Sequence, residues 1–325
     1  MTRRGFLLGK FMPPHAGHLS LIRAARALVD ELTVLVCWLP GDPIPGETRL
    51  QWMRALAPDC RVVGHGEVVP QAPEDSADFW PVWRDIVAET HPEPIDYLFA
   101  GEAYGAELAR QVGGLFVPLG GRVLGLDDPV AGLSASAIRA EPGAHWPFLP
   151  AQVQAHYRRT VCLHGAESTG KSTLAAALAA ETGALTVGEY GRSHCEVHKG
   201  PLTLDDLLLI GRAQTAMIAA AAPYAGPLLI ADTDALMTAA WCEMLLGQRP
   251  PELMAAPKAE LYLLFEPDLP WVDDGTRFFN DPADRHRFAM IVEQVLKDAG
   301  VPFARVSGQG EARLAAARAA IGAMQ

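Results

Sequence analysis

Residues 165–172 read Gly-Ala-Glu-Ser-Thr-Gly-Lys-Ser and stand between an apolar run, Thr160–His164, and an Ala-rich helical pattern, Lys171–Glu181. The stretch fits the pattern G-x-x-x-x-G-K-[S/T] in the strand-to-helix setting that this motif requires. Its glycines let the chain wrap tightly, so successive backbone N–H groups and the helix N-terminus face phosphate oxygens. The stretch therefore predicts an α/β domain that binds a nucleoside triphosphate.

The residues around this loop predict phosphoryl transfer from ATP. Lys171 is expected to neutralise the β- and γ-phosphates, and Ser172 to offer its hydroxyl to Mg²⁺. Asp232 ends the apolar run Leu228–Ala231, where it could complete the Mg²⁺ shell or accept a proton from the acceptor. An N-cap is the alternative for Asp232, and the two interpretations are about equal for Asp234. The other loop residues expected to contact ATP are Gly165, Glu167, Ser168, Thr169, Gly170 and Thr173.

Two further segments of this half carry candidate substrate contacts. Glu189 and Arg192 lie where the second strand of the sheet should end, which makes them candidates for binding the acceptor. Tyr190 could stack on a ring, and a core position is an equally good interpretation. Arg277 fits a lid over the transferring phosphoryl group, with ordinary surface charge as the alternative. This half therefore indicates a small-molecule kinase.

A histidine-containing loop marks the first half of the chain, where residues 9–18 read GKFMPPHAGH. His15 and His18 stand three apart at the start of a helical pattern, so both are predicted to face its anion-binding end. Nucleotidyl transfer needs positive donors around the α-phosphate and the leaving pyrophosphate, which the two histidines and Lys10 can supply. The other loop positions expected to contact the nucleotide are Gly9, Phe11 and Gly17.

Three other places in the first half are candidate binding positions. Residues 133–139 read LSASAIR, and Ser136 with Arg139 could grip the β- and γ-phosphates opposite the histidines. Capping of a helix by a serine of this segment is the alternative. Trp52 could contact the mononucleotide or adenine, or lie in the core, and Tyr104 follows a buried strand where the substrate could bind.

Composition and charge limit the class of protein. The chain has 325 residues, half of them apolar and 20% charged, so about two domains with sizeable cores are expected. Its formal net charge of −11 argues against a nucleic-acid or membrane partner. Five scattered cysteines without a CxxC pair, no signal peptide and no long apolar run favour a cytoplasmic location.

Short apolar runs alternate with longer helical patterns twice along the chain. This order predicts two parallel sheets covered by helices, one in residues 1–155 and one in residues 156–325. The segment 141–150 contains three prolines and is interpreted as the linker. The predicted strands are Gly5–Leu8, Leu32–Trp38, Arg61–Gly64, Tyr97–Ala100, Thr160–His164, Leu228–Ala231 and Leu261–Phe265.

The motifs together resemble those of a known family. GKFMPPHAGH and LSASAIR are similar to the motifs of HxGH nucleotidyltransferases, in particular nicotinamide mononucleotide adenylyltransferases. Their succession with VCLHGAESTGKST, EYGR, DTD and WVDDG-R resembles NadR-type proteins, which fuse an adenylyltransferase to a ribosylnicotinamide kinase. The resemblance implies a Rossmann-like nucleotidyltransferase domain followed by a P-loop kinase domain.

The resemblance also implies two reactions, both dependent on ATP and Mg²⁺. Nicotinamide riboside would be phosphorylated, and nicotinamide mononucleotide would then be adenylylated to NAD with release of pyrophosphate. It gives His15 and His18 the transition-state role and makes Asp232 the candidate base for the primary hydroxyl of the riboside. Asp234 and Arg192 become acceptor contacts, and Arg277 becomes part of the lid region.

The sequence departs from the family pattern at a few places. The first strand starts at Gly5 with no helix-turn-helix segment before it, so repression of transcription is not expected. Gly188 stands where some members have an aromatic residue, and Trp241 could take over ring recognition. Alternatives to a two-activity enzyme are a chain with one active domain or a nucleotide-sensing binding module. Self-association into a homo-oligomer stays open.

Overall fold

The computed structural model of the chain describes residues 1–119, 133–270, 279 and 281–324. The chain divides into two compact units, Met1–His156 and Tyr157–Gln325. Each unit is an α/β domain with its own five-stranded parallel sheet, which confirms the predicted fold class. Among the described residues, no helix is both long enough and apolar enough to cross a bilayer.

The first domain has the strand order β3-β2-β1-β4-β5, and all four neighbouring pairs are parallel. The strands are β1 (Arg4–Gly9), β2 (Glu31–Cys37), β3 (Arg61–His65), β4 (Tyr97–Ala100) and β5 (Leu115–Pro118). The described helices are α1 (Ala16–Arg26), α2 (Gly46–Leu56), α3 (Phe79–Thr90), α4 (Tyr104–Val112), α5 (Ala135–Ala140) and α6 (Ala151–Tyr157). The strand order reverses between β1 and β4, and such a reversal opens a crevice at the carboxyl ends of the strands.

The second domain has the order β10-β9-β6-β8-β7, again with parallel pairs throughout. The strands are β6 (Arg159–Gly165), β7 (Leu185–Val187), β8 (Leu228–Ala231), β9 (Leu261–Phe265) and β10 (Phe303–Val306). The described helices are α7 (Lys171–Thr182), α8 (Tyr190–Val197), α9 (Leu204–Ala221), α10 (Ala235–Leu246), α11 (Pro251–Ala255), α12 (Pro282–Asp298) and α13 (Glu311–Gly322). The central strand, β6, leads directly into the glycine-rich loop, so this loop lies at the middle of the sheet edge.

Alternating side chains of the central strands build a core on each face of the sheets. In β1, Phe6 packs with residues of α3 and α4, whereas Leu7 packs with residues of α1 and α2. In β6, Leu163 packs with α7 and α13, whereas Cys162 packs with α9, α10 and α12. Because strands buried on both faces need apolar residues at successive positions, they read as short apolar runs in the sequence.

The segment that was expected to be a linker is helical and packed. Residues Pro142–Phe148 form 3-10 turns and α6 follows at Ala151–Tyr157. Leu149 and Val153 are buried, and the Gln154 amide donates to the Trp146 carbonyl over 3.0 Å. Apolar burial therefore orders this proline-containing stretch.

Trp38, the residue after β2, is packed closely among three glycines. A Cβ added at Gly46 would lie 2.1 Å from the indole Cγ, and one at Gly66 would lie 2.2 Å from Nε1. At Gly64 the corresponding distance to Cη2 is 2.6 Å. An indole ring cannot bend away from such a contact, so only glycine fits at these positions.

We expect Gly46→Ala to destabilise the first domain by about 1–3 kcal/mol, because the added methyl group would overlap the indole. Calorimetric unfolding of the full chain measures the change. Gly226→Ala is the matched control, since no atom lies within 4 Å of its added Cβ. Equal effects of the two substitutions would contradict the packing described for Trp38.

Candidate active sites

The first cavity, of about 800 Å³, opens in the first domain at the carboxyl ends of β1 and β4. The loop from β1 to α1 forms one wall, and the start of α5 forms another. The structure thus brings together the residues that the two motifs of this half predicted. Those that line the cavity are Gly9, Lys10, Phe11, His15, Gly17, His18, Ser136 and Arg139.

The two histidines lie side by side at the start of α1. Their ring centroids are 3.8 Å apart, and the His18 ring also meets the Phe11 ring edge-on at 5.0 Å. His15 caps the helix, because its Nδ1 accepts a hydrogen bond from the Gly17 N–H over 3.2 Å. A neutral His15 therefore carries its proton on Nε2, which suits a donor to a phosphate oxygen.

Arg139 connects α5 to the histidine loop. Its guanidinium donates to the Met12 carbonyl and, over 3.2 Å, to the Ser136 hydroxyl. Residues from two distant stretches of sequence therefore form one connected polar group in the lining of the cavity. Such a group can neutralise the negative charge of a triphosphate.

The structure brings Tyr104 to the cavity but not Trp52. The Tyr104 hydroxyl lies 3.5 Å from the Leu8 carbonyl, at the cavity wall. Trp52 is half-buried on α2 and packs edge-on against His156 at 5.3 Å. Its neighbour Met53 faces the core, so helical geometry turns Trp52 toward another face. The assignment of Trp52 as a substrate contact is corrected accordingly.

Aromatic residues of α3 form a part of this cavity that the sequence motifs did not predict. Phe79, Trp80 and Trp83 line it together with Glu74 of the preceding turn. The Trp83 indole N–H donates to the Pro70 carbonyl over 3.0 Å, which fixes that ring. Three aromatic residues within positions 79–83 were the signal for an apolar binding surface.

The second cavity, of about 510 Å³, lies around the glycine-rich loop of the second domain. Gly170 and Ser168 adopt left-handed conformations, with φ of 79° and 60°, as the loop turns into α7. Lys171 Nζ donates to the Gly165 and Ala166 carbonyls over 2.9 and 3.0 Å. The predicted loop residues that line this cavity are Gly165, Glu167, Ser168, Thr169, Gly170, Lys171, Ser172 and Thr173.

Ser172 and Asp232 form a pair of oxygen ligands beside the loop. The Ser172 hydroxyl donates to Asp232 Oδ2 over 2.5 Å. Asp232 is buried, and its other oxygen, Oδ1, has no hydrogen-bond partner among the described residues. A hydroxyl and a carboxylate with a free oxygen are suitable ligands for Mg²⁺.

The candidate acceptor groups lie on the other side of this cavity. Glu189, Arg192 and Trp241 line it, and Trp241 stacks on Phe279 with ring centroids 5.5 Å apart. Burial raises the pKa of Glu189 above its usual value, although the positive charge of Lys171 opposes this rise. The Phe279 N–H donates to Glu167 over 3.1 Å, which connects that residue to the phosphate loop.

Asp234 belongs to the core and not to the cavity, which corrects its assignment as an acceptor contact. It caps α10 by accepting from the Leu236 and Met237 N–H groups. It also accepts from the Tyr262 hydroxyl over 2.6 Å and lies 2.9 Å from His164 Nε2. Burial opposes its ionisation, but His164 and these hydrogen bonds outweigh that effect and lower the pKa of Asp234.

Tyr190 and Arg277 are the last two predicted residues. Tyr190 packs against the core beside α10 and does not line the cavity, in agreement with its alternative interpretation as a core residue. Arg277 lies outside the described residues.

Comparisons with known proteins agree with this two-site architecture. Residues 6–140 match the cytidylyltransferase-like family, and residues 160–313 match an AAA domain family. The trifunctional NAD biosynthesis/regulator proteins NadR of Salmonella typhimurium and Escherichia coli are each 28% identical to this chain. Each match covers 93% of this chain and 78% of the relative.

Solved structures show the same fold. A NadR protein in complex with NR has a TM-score of 0.72 at 22% identity, over 99% of this chain and 97% of the other. A NadR protein in complex with NAD and AMP-PNP has a TM-score of 0.73 at 21% identity, over 100% and 96% of the two chains. Both halves are matched in this order, and the chain is similar to the NadR proteins over nearly its whole length.

Proposed function

We propose that this chain makes NAD in two steps, each carried out by one domain. The second domain phosphorylates nicotinamide riboside with ATP, and the first domain transfers the adenylyl group of ATP to the resulting mononucleotide. The observation that carries the proposal is the pair of separate cavities, each with a phosphate-binding loop at a helix N-terminus. The names of the relatives, and the NR, NAD and AMP-PNP bound in the similar structures, support these substrates.

In the first domain, a phosphate oxygen of the mononucleotide attacks the α-phosphate of ATP, and pyrophosphate leaves. Charge builds up on the α-phosphate and on the leaving group in the transition state. Lys10, His15 and His18 lie together on one wall to stabilise that charge, and Arg139 adds a guanidinium from α5. The aromatic side chains Trp80 and Trp83 are proposed to bind the pyridine part of the acceptor.

In the second domain, the 5′-hydroxyl of the riboside attacks the γ-phosphate of ATP. Lys171 and the N-terminus of α7 bind the phosphates, and Ser172 with Asp232 would hold Mg²⁺, which neutralises charge on the phosphates. Asp232 Oδ1 is the proposed acceptor of the hydroxyl proton. Glu189, Arg192 and Trp241 line this cavity. Glu189 and Arg192 are proposed to bind the ribose hydroxyls, and Trp241 to contact the ring.

A reducing, cytoplasmic compartment is proposed as well. All five cysteines are free thiols. Burial raises the pKa of Cys37 to about 12 and that of Cys242 to about 11, so these thiols stay protonated at neutral pH. A compartment that keeps thiols reduced suits such a set.

Lys171→Ala is expected to lower riboside phosphorylation at least ~100-fold, because the β- and γ-phosphates lose their main cation. Formation of NAD from the mononucleotide and ATP should stay within about twofold, since the two cavities lie in separate domains. Two assays on the same preparation measure this: ADP release with the riboside and NAD formation with the mononucleotide. Lys297→Ala removes a lysine on α12 that is 52% exposed and serves as the control.

His18→Ala is expected to lower adenylyl transfer about 10²–10³-fold, because one donor to the developing negative charge is lost. Riboside phosphorylation in the same protein should be unchanged. The rate of pyrophosphate release with saturating mononucleotide is the measurement. A wild-type rate in this variant would contradict the assignment of the histidine loop to adenylyl transfer.

A further inference from the structure

Arg49 lies on α2 and does not line the first cavity, yet its side chain is fully buried. Its Nη1 donates to the Lys10 carbonyl over 2.6 Å and to the Cys37 carbonyl over 3.2 Å. Its Nε donates to the Ile44 carbonyl over 2.9 Å, and its Nη2 pairs with Asp42 over 2.5 Å. A buried guanidinium needs such a full set of acceptors, so it fixes these segments relative to one another.

The bond to Lys10 is the one that concerns catalysis. Lys10 is the first residue after β1, and Phe11, which follows it, has a left-handed φ of 46°. This conformation is unfavourable for a residue with a side chain, so surrounding contacts must hold it. Met12, on the other side of Phe11, is held by Arg139. Because the His18 ring packs on the Phe11 ring, the loop conformation sets the position of His18.

We propose that Arg49 is a positioning residue for adenylyl transfer, which orients the histidine loop through its carbonyl oxygens without touching the nucleotide. The peptide group is planar and trans, so a fixed Lys10 carbonyl also fixes the direction of the Phe11 N–H. The inference rests on the proposed function of the first domain.

In the second domain, a buried arginine likewise holds a backbone carbonyl of the phosphate loop. Arg313, on α13, is buried and does not line the second cavity. Its guanidinium donates to the Thr169 carbonyl and pairs with Asp268. Since Thr169 and Gly170 share one peptide group, this bond fixes the direction of the Gly170 N–H in the phosphate loop. Arg313 is therefore the positioning residue of the kinase domain.

The test uses Arg49→Lys and Arg313→Lys in the full chain, with both activities measured on each protein. Lysine keeps the charge but cannot reach carbonyls and a carboxylate from several directions at once. A loop displaced by roughly 1 Å can cost about 10²-fold in rate, so kcat of the affected reaction should fall about 10–100-fold. KM for ATP should change less than about threefold, because the phosphate-contacting side chains remain.

The two variants serve as controls for each other. Arg49→Lys should leave riboside phosphorylation unchanged, and Arg313→Lys should leave adenylyl transfer unchanged. Arg110→Lys is a further control, since Arg110 pairs with Glu107 on the surface and its side chain is 70% exposed. A smaller folded fraction would also lower kcat at constant KM. Calorimetry excludes this explanation if each variant shows the unfolding enthalpy of the wild type.

Amide hydrogen exchange provides a readout that needs no activity. Residues 9–18 should exchange faster in Arg49→Lys, and residues 165–172 faster in Arg313→Lys. Wild-type exchange and wild-type kcat in both variants overturn the proposal, as does an equal loss of both activities in either folded variant. If a domain of the wild-type protein is inactive, the proposed function is contradicted and not the positioning role. Amide exchange of the loop in the lysine variant would then still test the positioning role. If a lysine variant does not fold, Asp42→Asn or Asp268→Asn should give smaller changes in the same direction.

Discussion

The backbone N–H groups in the first turn of a helix have no partner within that helix, and a parallel sheet brings such helix starts to one edge. Both domains depend on this constraint. The helices α1 and α7 each follow the central strand of their sheet, so each begins where neighbouring strands also end. Asp232 directly follows β8, so its carboxylate lies beside Ser172 at the start of α7.

The net negative charge of the chain does not prevent phosphate binding, because cations line both cavities. Lys10 and Arg139 line the first cavity, and Lys171 and Arg192 line the second. Local charges within a few ångströms outweigh distant surface charges, which salt screens over roughly 10 Å. Overall charge therefore says little about the binding of small phosphorylated ligands.

The sequence was sufficient to predict the central strands and both phosphate loops, because each combines a buried apolar run with a spaced set of glycines and cations. The edge strands β5, β7 and β10 were not predicted, since they have only three or four residues and are partly exposed. The acceptor sides were also harder to predict. The sequence positions of Trp80 and Trp83 do not distinguish residues that line a cavity from residues of the core. Only the packing of α3 shows that both line the first cavity.

The roles of carboxylates near a strand end were also hard to predict from the sequence. Asp232 and Asp234 stand two residues apart, and the sequence favoured Asp232 as a site residue but left the interpretation of Asp234 open. The structure separates them through Tyr262 and His164, which lie on β9 and β6 and occupy the Asp234 carboxylate. Partners so distant in sequence leave no local signal, and since both acids are buried, only their hydrogen-bond partners distinguish them.

The close packing around Trp38 has a consequence for how this domain can change over evolutionary time. Gly46 begins α2, and Gly64 and Gly66 lie at the end of β3, yet one indole packs against all three. A larger residue at any of the three should cost less stability once the indole has been replaced by a smaller side chain. Substitutions at these four positions are therefore coupled, and the order that begins at position 38 is the less costly one.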